Sequence, residues 1–157
     1  MIFEAHKSTP RLSIKAVILS NLAFWAFLIA GLIITTVTVL VSAGLIALHN
    51  STTTTIDHVM SSPAMIGSWL MVGGLLAPLV GGYTAAKIAP DAKLLHGVLS
   101  TSLWLVVAVC CDIWGPDTTD MPRWLDIASS YWAPIPALAG AYLAQWRAMR
   151  PVVVAGA

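Results

Sequence analysis

Charge is what this sequence lacks most. Only 10% of its 157 residues are Asp, Glu, Lys or Arg, and the formal net charge is +1. A soluble domain carries about 25% charged residues and about 45–50% apolar ones. Here the apolar share is 58% and the mean hydropathy is +0.84. These figures exclude an ordinary water-soluble globule and a disordered chain. They also exclude a nucleic-acid partner, because no large basic surface is available for phosphate contacts. Cysteine is scarce as well. Cys110 and Cys111 are the only two, and adjacent cysteines have poor geometry for pairing with each other. They read as free or structural thiols, with a bridge to a second molecule as the alternative. Catalytic signatures are missing: there is no H-E-x-x-H, G-x-S-x-G or C-x-x-C pattern and no phosphate loop.

The few charges that do occur divide the chain. Four charge-free runs cover Ala16–Ile56, His58–Ala86, Leu94–Cys111 and Ile127–Trp146, with 41, 29, 18 and 20 residues. A bilayer core about 30 Å thick takes about 20 helical residues. The backbone of such a segment must satisfy itself, which a helix does. Four strands are too few for an outer-membrane barrel, which starts at about eight. The sequence therefore predicts an all-α, polytopic membrane protein, a four-transmembrane-helix bundle in one domain over residues 1–157. The expected spans lie near 17–41, 63–86, 94–112 and 127–147. The first run exceeds one straight span, so its helix is expected to project or bend near Gly44. That run is also longer than a signal-peptide core of about 7–15 residues, so it is expected to stay in place.

Basic residues orient the bundle. Lys7, Arg11, Lys15, Lys87, Lys93, Arg147 and Arg150 fall on one side of the expected layout, and only Arg123 falls on the other. Positive residues in short loops mark the cytoplasmic side, so both termini are expected there. The membrane is expected to be a bacterial inner membrane. Trp114, Trp124, Tyr131 and Trp132 then lie near the outer interface, and Tyr83, Tyr142 and Trp146 near the inner one. Trp25, Trp69 and Trp104 lie deeper, as packing residues.

Small residues supply a packing pattern. Gly73, Ala77, Gly81, Ala85 and Ala89 recur every four positions in the second run, with Gly74 and Gly82 beside them. Pro136, Gly140, Ala144 and Ala148 repeat the spacing in the fourth run, flanked by Ala133, Ala137 and Ala141. Such stripes let helix backbones approach closely. Spans two and four are thus expected to make the tightest contacts, within one chain or between chains. Pro78 should kink span two and free the carbonyl of Gly74. Pro134 and Pro136 should disturb the outer part of span four.

The candidate functional polar positions are Asn21 and His96 near or within the spans, and Asp57, His58 and Asp112 outside them. With Asp117, Asp120 and Asp126, the last three offer oxygen and nitrogen ligands for a divalent cation, yet their spacing matches no calcium loop. A solvated interfacial loop, with Asp126 capping span four, accounts for them without a metal. Asn50-Ser51-Thr52 fits the glycosylation acceptor pattern. No catalytic, metal or cofactor residue is assigned, and no cofactor is expected.

Gly81-Gly82-Tyr83-Thr84-Ala85-Ala86-Lys87-Ile88-Ala89-Pro90, followed by Leu94-Leu95-His96-Gly97, resembles a segment of small four-span bacterial integral membrane proteins of uncharacterised function. Those proteins carry a Gly-Gly-x-x-Ala stretch, a short basic turn and a His-Gly pair opening the next helix. The resemblance implies a four-span fold and no reaction. Two functions are consistent with these residues. One is a non-enzymatic bundle that packs with itself or with a membrane partner among lipids. The other is an oligomeric transporter or channel for a small solute or ion, drawing on Asn21, His96, Thr35, Pro78 and Pro134.

Overall fold

The computed structural model describes residues 11–50, 56–114 and 131–149, and among these every regular element is helical. In chain order they are α1 (Ile14–Asn50), α2 (Ile56–Met60), α3 (Pro63–Trp69), a π-helical stretch (Leu70–Leu76), α4 (Ala77–Ile88), α5 (Lys93–Leu99), α6 (Ser102–Trp114) and α7 (Pro134–Met149). Three helical segments are long and apolar enough to cross a membrane: Ile14–His49, Pro63–Ile88 and Lys93–Trp114. The described part of α7 has 16 residues, about 24 Å of helix at about 1.5 Å each. The beginning expected for its span, at Ile127, lies outside the described residues.

The 37 residues of α1 form one unbroken helix. At about 1.5 Å per residue it reaches about 55 Å, well beyond a hydrocarbon core of about 30 Å. No break occurs at Gly44. Its two halves differ in burial. Ala16, Ser20, Phe24 and Leu28, spaced by four, are buried on one stripe, whereas none of residues 31–49 is. Phe24 sits edge-on to Trp25 and beside Trp104, with ring centres 5.7 and 6.0 Å apart. This aromatic group, with Leu28, Leu32 and Ala77, forms the apolar core.

Outside the core the surface is strongly apolar. Ile33, Ile34, Val37, Val41 and Leu45 on α1 are all more than half exposed. In water, a patch of this kind would drive association. Against lipid it has no such penalty, because acyl chains are as apolar as these side chains. For the same reason, burial of greasy surface gives helices in lipid little cause to join. Close backbone packing and polar contacts must do so.

Glycine provides the close packing where α4 crosses α7. A Cβ at Gly82 would fall inside contact distance of the Ala137 carbonyl, and one at Gly140 would strike the Leu79 carbonyl. Gly97 similarly admits the Ala141 methyl, drawing α5 onto α7. The stripe Gly73, Ala77, Gly81 and Ala85 takes another direction. Gly73 faces Leu28, Gly81 faces Phe24 and Ser100, and Ala77 joins the aromatic core. Hence the four-residue stripe turns toward α1 and α5, while its flank at Gly82 meets α7. Ala85 is fully buried, Ala144 is half-buried and Ala148 is exposed.

The second and third long segments are not plain α-helices. Leu70–Leu76 is π-helical, and the Ala77 N–H reaches back five residues to Val72. Pro78, just beyond, has no N–H to offer Gly74. The third segment is interrupted by a turn at Ser100–Thr101, between α5 and α6. Its continuous apolar run gives no sign of that interruption.

Candidate functional site: a buried polar cluster

Five polar side chains are buried among the described residues: Ser20, Asn21, His96, Ser100 and Thr101. They come from the first half of α1 and from α5 with its junction to α6. Each one is engaged. Ser20 Oγ donates to the Val17 carbonyl at 3.0 Å, Ser100 Oγ to Gly97 at 2.6 Å and Thr101 Oγ1 to Val98 at 2.9 Å. Such bonds to the preceding turn satisfy a hydroxyl inside an apolar helix.

Asn21 joins α1 to the α5–α6 junction. Its Nδ2 donates to the Val17 carbonyl at 2.9 Å and to the Leu99 carbonyl at 3.2 Å, while Oδ1 accepts from the Leu103 N–H at 3.3 Å. A helix break leaves carbonyls without partners on one side and N–H groups on the other. One primary amide carries both a donor and an acceptor, so it can serve both sides. Asn21 thereby closes the break from a neighbouring helix.

His96 does the same for the start of α1. It is fully buried. Nε2 lies 2.8 Å from the Ser13 N–H, and Nδ1 lies 3.1 Å from the Ala92 carbonyl. A backbone N–H can only donate and a carbonyl can only accept. The ring is therefore neutral, with its proton on Nδ1. In this state it caps an otherwise unpaired N–H at the start of α1 and holds the carbonyl of Ala92. Ala92 has φ 47° and ψ 44°, a left-handed conformation without the help of glycine. That costs about 1–2 kcal/mol.

Trp132 makes a comparable closure at the π-helical stretch. Its indole N–H donates to the Gly74 carbonyl, to which Pro78 has no N–H to offer. Trp69 on α3 likewise donates to Thr36 Oγ1 of α1 at 3.1 Å. Trp25 Nε1 is buried without a hydrogen-bond partner among the described residues.

Both ends of the bundle carry polar groups, but differently. Ser13 meets His96 at one end, and the Arg147 guanidinium lies 5.8 Å above the Tyr83 ring. Asp57 and His58, on α2, are exposed beside the far half of α1. His58 borders an open apolar groove of about 350 Å³ with Thr38, Ser42 and Ile46. Asp112 is exposed and accepts from the Tyr131 hydroxyl. Asp57, His58 and Asp112 are not gathered into one site, and no three metal-ligating side chains cluster among the described residues. Cys110 is half-buried, Cys111 is exposed, and both are free thiols. Asp117, Asp120, Asp126, Trp124 and the Ser51-Thr52 part of the acceptor pattern lie outside the described residues.

Sequence reasoning passes over Ser20, Ser100 and Thr101, which look like ordinary hydroxyls in an apolar run. It places Trp132 at an interface and gives it no carbonyl to bind. The one signal available is Pro78, which marks the Gly74 carbonyl as needing a donor. No protein-family model, no curated protein and no solved structure matches this chain.

Proposed function

We propose that this chain is a non-enzymatic integral membrane protein: a four-span helical bundle, with both termini cytoplasmic, that packs with itself or with a membrane partner. One observation carries this reading. Asn21 and His96, the most polar side chains of the buried cluster, already bond to backbone groups of their own and neighbouring elements through every nitrogen and the amide oxygen. A transport site needs polar groups available to a passing solute. Here those groups hold helix ends.

The fourth span and the orientation rest on charge. Arg11, Lys15, Lys87, Lys93 and Arg147 belong to helix ends that meet at the His96 end of the bundle, as the Ser13–His96 and Arg147–Tyr83 contacts support. The positive-inside rule makes that end cytoplasmic. The choice of a bacterial inner membrane rests on the resemblance of the Gly81–Gly97 segment.

Chemical cross-linking in native membranes, combined with solute uptake into proteoliposomes, tests the proposal. The expected result is a discrete cross-linked homo-oligomer or hetero-complex and no protein-dependent uptake. Uptake that disappears in Asn21→Leu or His96→Leu, measured on protein that remains folded, would overturn it in favour of a transporter.

A further inference from the structure

A pocket of about 400 Å³ opens at the turn between α4 and α5, bordered by Asp91, Lys93, Leu94, Leu95 and, from α7, Gln145. Asp91 and Lys93 have opposite charges and stand two residues apart, on either side of left-handed Ala92. Neither forms an ion pair or a side-chain hydrogen bond with any described residue, and neither does Gln145. One positive, one negative and one amide side chain thus border the same opening with their bonding capacity unused.

We propose that this pocket binds the headgroup of a zwitterionic phospholipid that carries a primary ammonium. Charge complementarity selects it. A simple anion attracted by Lys93 meets the Asp91 carboxylate, and a simple cation attracted by Asp91 meets Lys93. A phosphate linked to an ammonium answers both. A quaternary ammonium has no N–H to donate, and its usual recognition is by aromatic faces. No aromatic side chain borders this pocket. A primary ammonium keeps three donors for Asp91 and the Gln145 oxygen. The lipid, rather than the free headgroup, is the occupant because Leu94 and Leu95 adjoin the pocket and are 40% and 50% exposed, which gives acyl chains an apolar surface. This inference rests on the membrane reading above, which puts the turn at the inner interface.

The test uses the full chain in nanodiscs containing equal amounts of phosphatidylethanolamine, phosphatidylcholine and phosphatidylglycerol. Lipids retained after mild extraction are counted by mass spectrometry. Phosphatidylethanolamine should be retained about threefold over each of the others, the scale of an exposed charge pair. Asp91→Asn should remove its advantage over phosphatidylcholine, and Lys93→Gln should lower retention of all three. Equal retention in the wild type, a preference for phosphatidylglycerol, or an unchanged preference in both variants overturns the proposal. Asp91→Cys in a Cys110→Ser, Cys111→Ser background, labelled with a membrane-impermeant maleimide from the cytoplasmic face, separates the two readings. No phosphatidylethanolamine preference in the wild type, with labelling of the cysteine variant intact, rejects the pocket alone. A wild-type preference without labelling of the cysteine variant rejects the orientation and leaves the pocket supported.

Discussion

The Trp132 indole donates to the Gly74 carbonyl across the contact between the π-helical stretch of the second segment and the start of α7. Pro78, four residues on, has no N–H to offer that carbonyl, and a side chain 58 residues away donates to it. An unpaired carbonyl within hydrocarbon is costly, so kinked membrane helices need such donors. Trp132→Phe should destabilise the protein by about 1–2 kcal/mol, toward the upper range for hydrogen bonds in membrane proteins. In a Pro78→Ala background, where the backbone regains an N–H, the same change should cost less. Unfolding free energies of the four proteins, measured in mild detergent, read this coupling directly.

The α4–α7 crossing depends on backbone proximity. Gly82→Ala and Gly140→Ala each push a methyl into a carbonyl of the opposite helix. Each should cost about 1–3 kcal/mol or more, as overpacking does. Gly44 and Gly67 have nothing within 4 Å of a built Cβ. Alanine there should be neutral or should stabilise by about 0.5–1 kcal/mol through helix propensity. Thermal unfolding of the four variants separates crossing glycines from incidental ones.

Asn21→Leu keeps roughly the same volume and removes both donor and acceptor. The Leu99 carbonyl and the Leu103 N–H at the α5–α6 junction then lose a partner. The expected loss is about 1–3 kcal/mol, set by the unsatisfied backbone groups. Hydrogen exchange should accelerate at Leu103 before it does along α4. Unchanged exchange at Leu103 would show that the amide does not hold the junction.

Ala92→Gly tests the strained turn. Glycine enters the left-handed region without a Cβ penalty, so the change should stabilise by about 1 kcal/mol, less the added freedom of the unfolded chain. A shift in unfolding midpoint checks the sign. Destabilisation would mean that Ala92 is not left-handed in the protein.

Much of this architecture is legible from the position of charges. Lys15, Asp57, Lys87 and Lys93 bound segments that the structure makes helical, because ionised groups are expelled from hydrocarbon and helices alone satisfy a lone apolar segment. Pro78 foretells that the Gly74 carbonyl gets no N–H from that position, since the missing N–H is a property of the residue itself. The identity of its donor is not legible, because Trp132 is distant in sequence and interfacial tryptophans have no fixed partner. Helix facing is only half legible. Four-residue spacing places Gly73, Ala77, Gly81 and Ala85 on one side of a helix, but neither the π-helical stretch nor the choice between α1 and α7 is written in that spacing. The break at Ser100–Thr101 is hidden for a similar reason: serine and threonine fit a membrane helix equally well whether it continues or is interrupted. His96 stands out as polar, whereas its capping role emerges only when the beginning of α1 is brought beside it.

Whether His96 is a sealed structural group or one open to a solute decides between a bundle and a transporter. Its ring nitrogens answer this in the intact protein. Solid-state NMR of protein labelled with ¹⁵N-histidine in lipid bilayers, assigned through a His96→Gln control, reports which nitrogen carries the proton and how fast it exchanges with water. The structure predicts a protonated Nδ1, an unprotonated Nε2 facing the Ser13 N–H, and slow exchange. A proton on Nε2, or rapid exchange with water, would contradict it.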